Sequence, residues 1–337
     1  VHQGGRHLAL VFTFELKNGE ILMSRGKVVF LDTTHEHLQT TLKESGFDVK
    51  LCFDFPLEEA LLQLREAVGI VIRSRFPVDK RMMDAAPRLQ FIARVGSGME
   101  NIDHKYALSR GIHCLNAPEG NRDAVGEHAL GLLLSVMNHI VRGDLEVRQG
   151  LWRREANRGR EIGDKTVAII GYGNTGGAFA RRLTGFGARV IAYDKYRKDY
   201  TDQWVTEAGM DEVHRTADIV SLHVPLTDET HHLVSEAWIG RFAKPFWLIN
   251  TSRGPVVKTS ALLDALDTGR IWGAGLDVLE YEKRSLEGLS FDAFPEDFRR
   301  LANSPQVVLS PHVAGWTVES NLRLSEVLAE KILDLYR

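Results

Sequence analysis

The stretch Val167-Ala-Ile-Ile170-Gly171-Tyr-Gly173-Asn-Thr-Gly176 decides the fold. Its apolar run reads as a buried strand that feeds directly into Gly-x-Gly-x-x-Gly, and residues 178–183 follow with helical periodicity. A further strand ends at Asp194, about 20 residues past the first glycine, which is the frame of a dinucleotide-binding βαβ unit. Gly171 permits the tight turn, Gly173 lets backbone approach a pyrophosphate, and Gly176 lets the helix pack closely on the strand. Asn174 and Thr175 stand at the helix N-terminus, where an anion is favoured. Asp194 would accept hydrogen bonds from the adenosine ribose hydroxyls and repel a 2′-phosphate, so NAD is expected over NADP. Lys195, Arg197 and Lys198 are nearby positive charges that bear on that choice. The other Gly-x-Gly triplets, beginning at Gly96, Gly185 and Gly273, lack the strand–turn–helix frame.

Outward from this motif, short apolar runs alternate with helical periods. Residues 28–31, 47–52, 69–72, 89–95 and 111–116 read as strands, with helices over 36–45 and 57–68. A second series places strands at 166–170, 188–194, 218–223, 246–250, 271–278 and 307–310. Such alternation predicts parallel sheets covered by helices. A Leu-rich, Pro-free helical stretch over 124–148 crosses from one series to the other, and a last helix is expected over 318–335. The predicted fold class is α/β, two doubly wound parallel-sheet domains. Ahead of them, Lys17-Asn18-Gly19 between apolar runs is a hairpin signal. Residues 1–25 therefore read either as a hairpin extension or as sequence outside the fold.

Composition narrows the function. A length of 337 residues suits two domains. With 44% hydrophobic and 26% charged residues, a collagenous, low-complexity or disordered chain is excluded. The net charge of −3 offers no basic excess for nucleic acid. Two cysteines, Cys52 and Cys114, build no disulfide framework and suit a reducing compartment. No apolar run approaches the ~20 residues of a membrane span, and no signal peptide is legible, so a cytoplasmic protein is expected. Nucleophile elbow, P-loop, His-Glu-x-x-His and Cys-x-x-Cys are all missing from the sequence, so no metal is expected. His35 with His37, and His231 with His232, have spacings that do not share a helix face and read as ordinary polar residues.

In the second half, His223-Val-Pro-Leu-Thr, then Leu248-Ile-Asn-Thr-Ser-Arg253-Gly-Pro, Gly273-Ala-Gly-Leu-Asp277-Val and Pro311-His312 follow in order. The first half adds Val95-Gly-Ser-Gly98, Asn116-Ala-Pro and Ala124-Val-Gly-Glu-His128. Together, collinear from about Lys27 to the C-terminus, they resemble the D-isomer-specific 2-hydroxyacid dehydrogenases. The resemblance implies an NAD-binding Rossmann domain over 122–312. It also implies a discontinuous, flavodoxin-like substrate domain over 1–121 and 313–337, and a catalytic trio of Arg253, Glu282 and His312. Glu280 is the nearest decoy for Glu282. Arg253 offers a permanently charged fork for a carboxylate and carbonyl. His312 is the acid/base near neutral pH, and Glu282 would orient it and raise its pKa. The resemblance places Val125 and Asp277 at the nicotinamide end. It sets His223, Val224 and Pro225 at the adenosine, Thr251 in the pocket, and Gly315 just beyond His312. The amides of Ser97 and Gly98 would bind the substrate carboxylate. The family's homodimer uses the 124–148 region, so a two-fold dimer is expected there.

For substrate, strand 69–72 ends in Arg73-Ser74-Arg75, and carboxyl ends of parallel strands face the ligand crevice. Two guanidiniums beyond those needed for one carboxylate suggest a second anion. The same turn resembles the phosphate-contacting turn of the family's D-3-phosphoglycerate dehydrogenases, here in a short form without a regulatory domain. Phosphoglycerate is thus the expected substrate and serine biosynthesis the expected setting. The alternatives are a glyoxylate/hydroxypyruvate or D-lactate-type reductase and a noncatalytic, NAD-sensing corepressor-like protein. Formate dehydrogenases share the fold but pair their His with Gln, and Glu282 argues against them.

Overall fold

We describe a computed structural model of the chain, covering residues 13–17, 20–282 and 294–337, with side chains from residue 24 onward. The chain divides into two compact units, Val1–Asn121 with Val318–Arg337, and Arg122–Thr317.

The first unit opens with β1 (Thr13–Lys17) and β2 (Glu20–Ser24), paired antiparallel with Lys17 opposite Glu20 as the innermost pair. This pairing gives the hairpin alternative its structural form. There follow β3 (Gly26–Phe30), α1 (Glu36–Glu44), β4 (Phe47–Leu51), α2 (Leu57–Gln63), β5 (Ala67–Ile72), α3 (Lys80–Asp84), β6 (Phe91–Arg94), α4 (His104–Ser109) and β7 (His113–Asn116). Strands β3 to β7 form a parallel sheet in the order β4-β3-β5-β6-β7. The helix expected over 57–68 ends early, because all six residues of β5 are buried and pair between β3 and β6. Sheet burial outweighs helix continuation there. His35 caps α1, its Nδ1 accepting from the His37 amide at 3.2 Å.

The helical stretch expected over 124–148 is two helices, α5 (Pro118–Met137) and α6 (Ile140–Arg148), bent by 60°. His139 lies between them in the left-handed region at φ 53°, which no continuous α-helix accommodates. A proline opens α5 at its first turn, where the missing N–H has no intrahelical partner to lose.

The second unit continues with β8 (Thr166–Ile170), α7 (Asn174–Arg182), β9 (Arg189–Tyr193), β10 (Thr206–Glu207), α8 (Met210–Thr216), β11 (Ile219–Leu222), α9 (Glu236–Gly240) and β12 (Phe246–Asn250). After them come α10 (Thr259–Asp267), β13 (Ile271–Leu276), α11 (Glu296–Asn303) and β14 (Val307–Leu309). The seven strands lie parallel in the order β10-β9-β8-β11-β12-β13-β14. Apolar clusters fill both sheet faces, one around Phe246, Leu248 and Leu262 and the other around Leu133, Ile169 and Phe179. The last helix, α12 (Val318–Asp334), returns to the first unit, where Leu324, Leu328 and Ile332 pack with Phe30, Leu38 and Leu42. Residues 313–317 fall in the second unit rather than the first. The amides of Val313 and Ala314 donate to the Asp277 carboxylate and hold them there.

Each sheet reverses strand order once, at β3/β5 in the first unit and at β8/β11 in the second. Such a switch point opens a crevice at the carboxyl ends of the strands. In the first unit the chain itself fills that position. Asp32, just after β3, accepts on one oxygen from the amides of Arg73, Ser74 and Arg75 at 2.7, 3.0 and 3.2 Å. The Arg75 guanidinium donates to the carbonyls of Leu31, Cys52 and Phe55 at 3.3, 3.0 and 2.8 Å and lies over the Phe76 ring. Asp32→Ala should lower the stability of this unit by about 2 kcal/mol, since several bonds to one charged acceptor are lost and exposed amides partly rehydrate. Asp32→Asn, which keeps a carbonyl oxygen, should recover part of it. Chemical unfolding midpoints check this, and an unchanged midpoint for Asp32→Ala would contradict it.

Candidate active site

The second unit's crevice is built by the motif at β8. Gly171 has φ +94°, and a Cβ there would stand 2.6 Å from the His223 carbonyl after β11, so both conformation and close approach require glycine. Val224 Cγ1 lies on the same spot, and the Pro225 carbonyl accepts from Thr230 Oγ1 at 2.6 Å. A Cβ at Gly176 would overlap the Gly171 carbonyl, which is the helix–strand packing expected of the third glycine. Gly173 and Asn174 are exposed at the start of α7, with no side-chain cap on the first turn and open space above Gly173.

The His223 ring stacks on Phe179 and bonds Ser221 Oγ and Thr175 Oγ1 at 2.9 and 3.3 Å. Burial pulls its pKa down to about 3, so it is neutral and serves as a spacer for Thr175. Asp194, just past β9, accepts from the Tyr172 amide on one oxygen and from the Tyr196 and Arg197 amides on the other. Two of the nearby positive side chains are engaged. Lys195 pairs with Glu229, and Arg197 donates to the Tyr172 carbonyl while lying over Tyr172 and Tyr200. Thr251 Oγ1 is buried with no hydrogen-bond partner among the described residues. An orphaned hydroxyl, an uncapped helix start and a carboxylate at the second strand's end fit a dinucleotide. Gly171, Gly173, Asn174, Thr175, Gly176, Asp194 and Thr251 would hold it. Val125 lies buried on α5, and Gly315 is half-buried past His312.

Arg253, Glu282 and His312 sit on turns after the neighbouring strands β12, β13 and β14. Fully buried Asn250 shapes the first turn. Its Oδ1 accepts from the Ser252 amide and hydroxyl at 3.0 and 2.8 Å, and its Nδ2 donates to the Arg253 carbonyl at 3.0 Å. Arg253 Nη1 donates to the Ser252 carbonyl at 2.7 Å. A Cβ on Gly254 would overlap the Leu279 carbonyl, so glycine lets this turn press against the segment carrying Glu282. That segment is anchored by Glu280, which meets His232 Nε2 at 2.6 Å and the Thr259 amide at 2.9 Å. The structure thus separates the two carboxylates, Glu280 being the anchor and Glu282 the partner of His312.

His312 Nδ1 lies 2.6 Å from Glu282 Oε2, and Glu282 Oε1 accepts from the Leu279 amide. The bond to Glu282 raises the His312 pKa. Burial pulls the other way, as does the Arg253 charge, while the Glu282 and Asp277 charges add to the rise. With Nδ1 turned to a carboxylate, Nε2 is the nitrogen that can pass a proton to a substrate. His312 has φ +54°, a left-handed turn residue with a Cβ. Asp277 is only 1% exposed, and its described contacts are internal: Ser310, His128 and the amides of Val313 and Ala314. Burial pushes its carboxyl up, but these hydrogen bonds prevail and hold it below the usual range. The same carboxylate holds the His312 turn through the Val313 and Ala314 amides. His128 and Ser310 escaped sequence reasoning, although His128 closes a motif quoted for the resemblance.

In the first unit, Ser97 Oγ donates to Asn121 Oδ1 at 2.7 Å, and Asn116 Nδ2 donates to the Ser97 carbonyl at 2.6 Å. Among the described residues, the amides of Ser97 and Gly98 have no partner. At the 73–75 turn, Arg73, Ser74 and Arg75 donate their amides to Asp32, and the Arg75 guanidinium donates to three carbonyls.

Among the described residues, no single helix is long and apolar enough to cross a membrane. Residues 130–314 match the model of the D-isomer specific 2-hydroxyacid dehydrogenase NAD binding domain. The chain is 32% identical to a hydroxypyruvate reductase of Thermotoga maritima, over 93% of this chain and 92% of that protein. It is 36% identical to a glyoxylate reductase of Thermofilum pendens, over 82% and 80%. Among solved structures, a D-lactate dehydrogenase from Aquifex aeolicus complexed with NAD and lactic acid superposes with a TM-score of 0.76 at 26% identity, covering 92% of this chain and 95% of that one. The chain belongs to the D-isomer-specific 2-hydroxyacid dehydrogenases and is an NAD-dependent oxidoreductase.

Proposed function

We propose that the chain reduces small, unphosphorylated 2-keto acids, glyoxylate or hydroxypyruvate, to the D-2-hydroxy acids. The observation that carries this reading is the 73–75 turn, where Asp32 occupies the amides and three carbonyls occupy Arg75. The printed names of the relatives, hydroxypyruvate reductase and glyoxylate reductase, support the same choice over phosphoglycerate. The free thiols Cys52 and Cys114 fit a cytoplasmic setting.

NADH, held by Gly171, Gly173, Asn174, Thr175, Gly176, Asp194 and Thr251, would supply the hydride for the carbonyl carbon. Arg253 holds the carboxylate and polarises the carbonyl. His312 delivers the proton from Nε2 to the developing alkoxide, and Glu282 keeps the ring oriented and favours its protonated form. The region 124–148 forms a two-fold homodimer interface. In its support, Ile140, Val141, Leu145 and Val147 on α6 and the nearby Trp152 are all exposed apolar side chains.

Reduction needs the protonated imidazole, so a raised His312 pKa carries activity to higher pH. Glu282→Gln removes the largest cause of that rise and should move the alkaline fall in kcat/KM to lower pH. A profile overlaying wild type would sink the pairing. His312→Ala should lose about a hundredfold or more in kcat while NADH binding stays near wild type. Initial rates on glyoxylate, hydroxypyruvate and 3-phosphohydroxypyruvate, each with NADH and NADPH, check substrate and cofactor together. We expect NADH to lead NADPH by about tenfold or more, because Asp194 meets a 2′-phosphate with like charge. The phosphorylated acid should gain nothing over hydroxypyruvate. Arg75→Ala should depress both hydroxypyruvate substrates in parallel, through lost stability, and selective loss on the phosphorylated one would restore the phosphoglycerate reading. Light scattering should give twice the chain mass, with Leu145→Asp shifting it toward monomer; a wild-type monomer at micromolar concentration would remove the dimer.

A further inference from the structure

We propose that His128 is a positioning residue for His312, acting through Ser310 and Asp277. The inference rests on the reading of His312 as proton donor. His128 Nε2 stands 2.8 Å from Ser310 Oγ and 3.4 Å from Asp277 Oδ1, and Ser310 Oγ stands 2.5 Å from that same carboxylate oxygen.

Counting hydrogens fixes the direction of each bond. An ionised carboxylate only accepts, so the single Ser310 hydroxyl hydrogen goes to Asp277. The Ser310 oxygen then accepts from His128, whose Nε2 must carry a proton. The relay His128 Nε2–H to Ser310 Oγ–H to Asp277 Oδ1 therefore runs from α5 into a carboxylate that is almost wholly buried.

That carboxylate grips the turn bearing the proton donor. Its Oδ1 accepts from the Val313 amide at 3.0 Å and its Oδ2 from the Ala314 amide at 2.8 Å. The Asp277 carbonyl accepts from the His312 amide at 2.8 Å. His312 itself holds a left-handed conformation, at φ +54°, which persists only where neighbours over-determine it. Ser310 and His128 are the side chains that fix the Asp277 rotamer, and so they fix where the imidazole meets Glu282. His312 faces Glu282, Asp277 and Arg253 as its charged neighbours, and His128 faces Asp277. His128 is bonded to the positioning network and not to His312.

The test uses the full chain in five variants, His128→Leu, His128→Gln, Ser310→Ala, the double variant of His128→Leu with Ser310→Ala, and His312→Ala. Keto-acid reduction is measured across pH, alongside NADH titration and thermal midpoints. His128→Leu should lower kcat about tenfold, as small misplacements of a reacting group do, with the KM for NADH little changed. It should also move the alkaline fall to lower pH, because a turn released from Asp277 loosens the bond to Glu282. His128→Gln, whose amide can donate to Ser310, should restore both rate and profile. Ser310→Ala should match His128→Leu, and the double variant should be no worse than either, as for two ends of one link. Wild-type kcat and profile in His128→Leu, or equal losses in the Leu and Gln variants, would overturn the proposal. If His128→Leu does not fold, Ser310→Ala decides alone: a shifted profile supports the relay and an unshifted one refutes it. A fully active His312→Ala would defeat the reading of His312 and this proposal together. Loss in His312→Ala beside an unchanged His128→Leu defeats only the proposal.

Discussion

A carboxylate buried to 1% exposure is the constraint around which the second unit's active turns are arranged. Taking an ion out of water costs several kcal/mol, and the cost is offset only where hydrogen bonds replace the lost solvent. Asp277 obtains them from Ser310, His128 and two consecutive backbone amides. The amides are the decisive donors, because a chain that presents both to one carboxylate must turn sharply just before them. That turn places His312 at positive φ. The residue with acid–base chemistry thus owes its strained conformation to a neighbour that does no proton transfer.

The two units share a topological device and use it differently. Both sheets reverse order once, and each reversal leaves amides and strand ends facing a crevice. At β8/β11 the glycine turn and the uncapped start of α7 leave donors for a bound anion. At β3/β5 the equivalent position is filled by the chain's own anion, Asp32, with Arg75 tied to surrounding carbonyls.

Electrostatics sharpen the division of labour among the histidines. His223 is kept neutral by burial and spaces Thr175, whereas the His312 pKa is raised by a carboxylate at hydrogen-bond distance. His232 binds Glu280 and so anchors the segment from which Glu282 reaches His312. Glu280 and Glu282 are two positions apart in sequence, and only their partners, His232 and Thr259 for one and His312 for the other, distinguish them.

Much of this was legible in the sequence because it is local. The Gly171 to Gly176 spacing specifies a turn whose steric demands are met within a few residues, and the apolar runs specify strands whose burial needs no further information. Both doubly wound sheets, the glycine crevice and the order of Arg253, Glu282 and His312 followed from such short-range patterns and a collinear resemblance. The break at His139, the early end of α2 and the assignment of 313–317 to the second unit did not, since each is settled by pairing or packing with distant segments. The same holds for charge. From sequence, Arg75 looks available for a phosphate and Asp277 for a cofactor, because a string of residues shows which groups are charged but not what lies opposite them. Only the tertiary structure decided that Arg75 is spent on the carbonyls of Leu31, Cys52 and Phe55, and that Asp277 is spent on the His312 turn. Hydrogen bonds are directional and short-ranged, so partners twenty or more residues apart are set by the fold that brings them within hydrogen-bond distance, and by nothing in their own neighbourhoods.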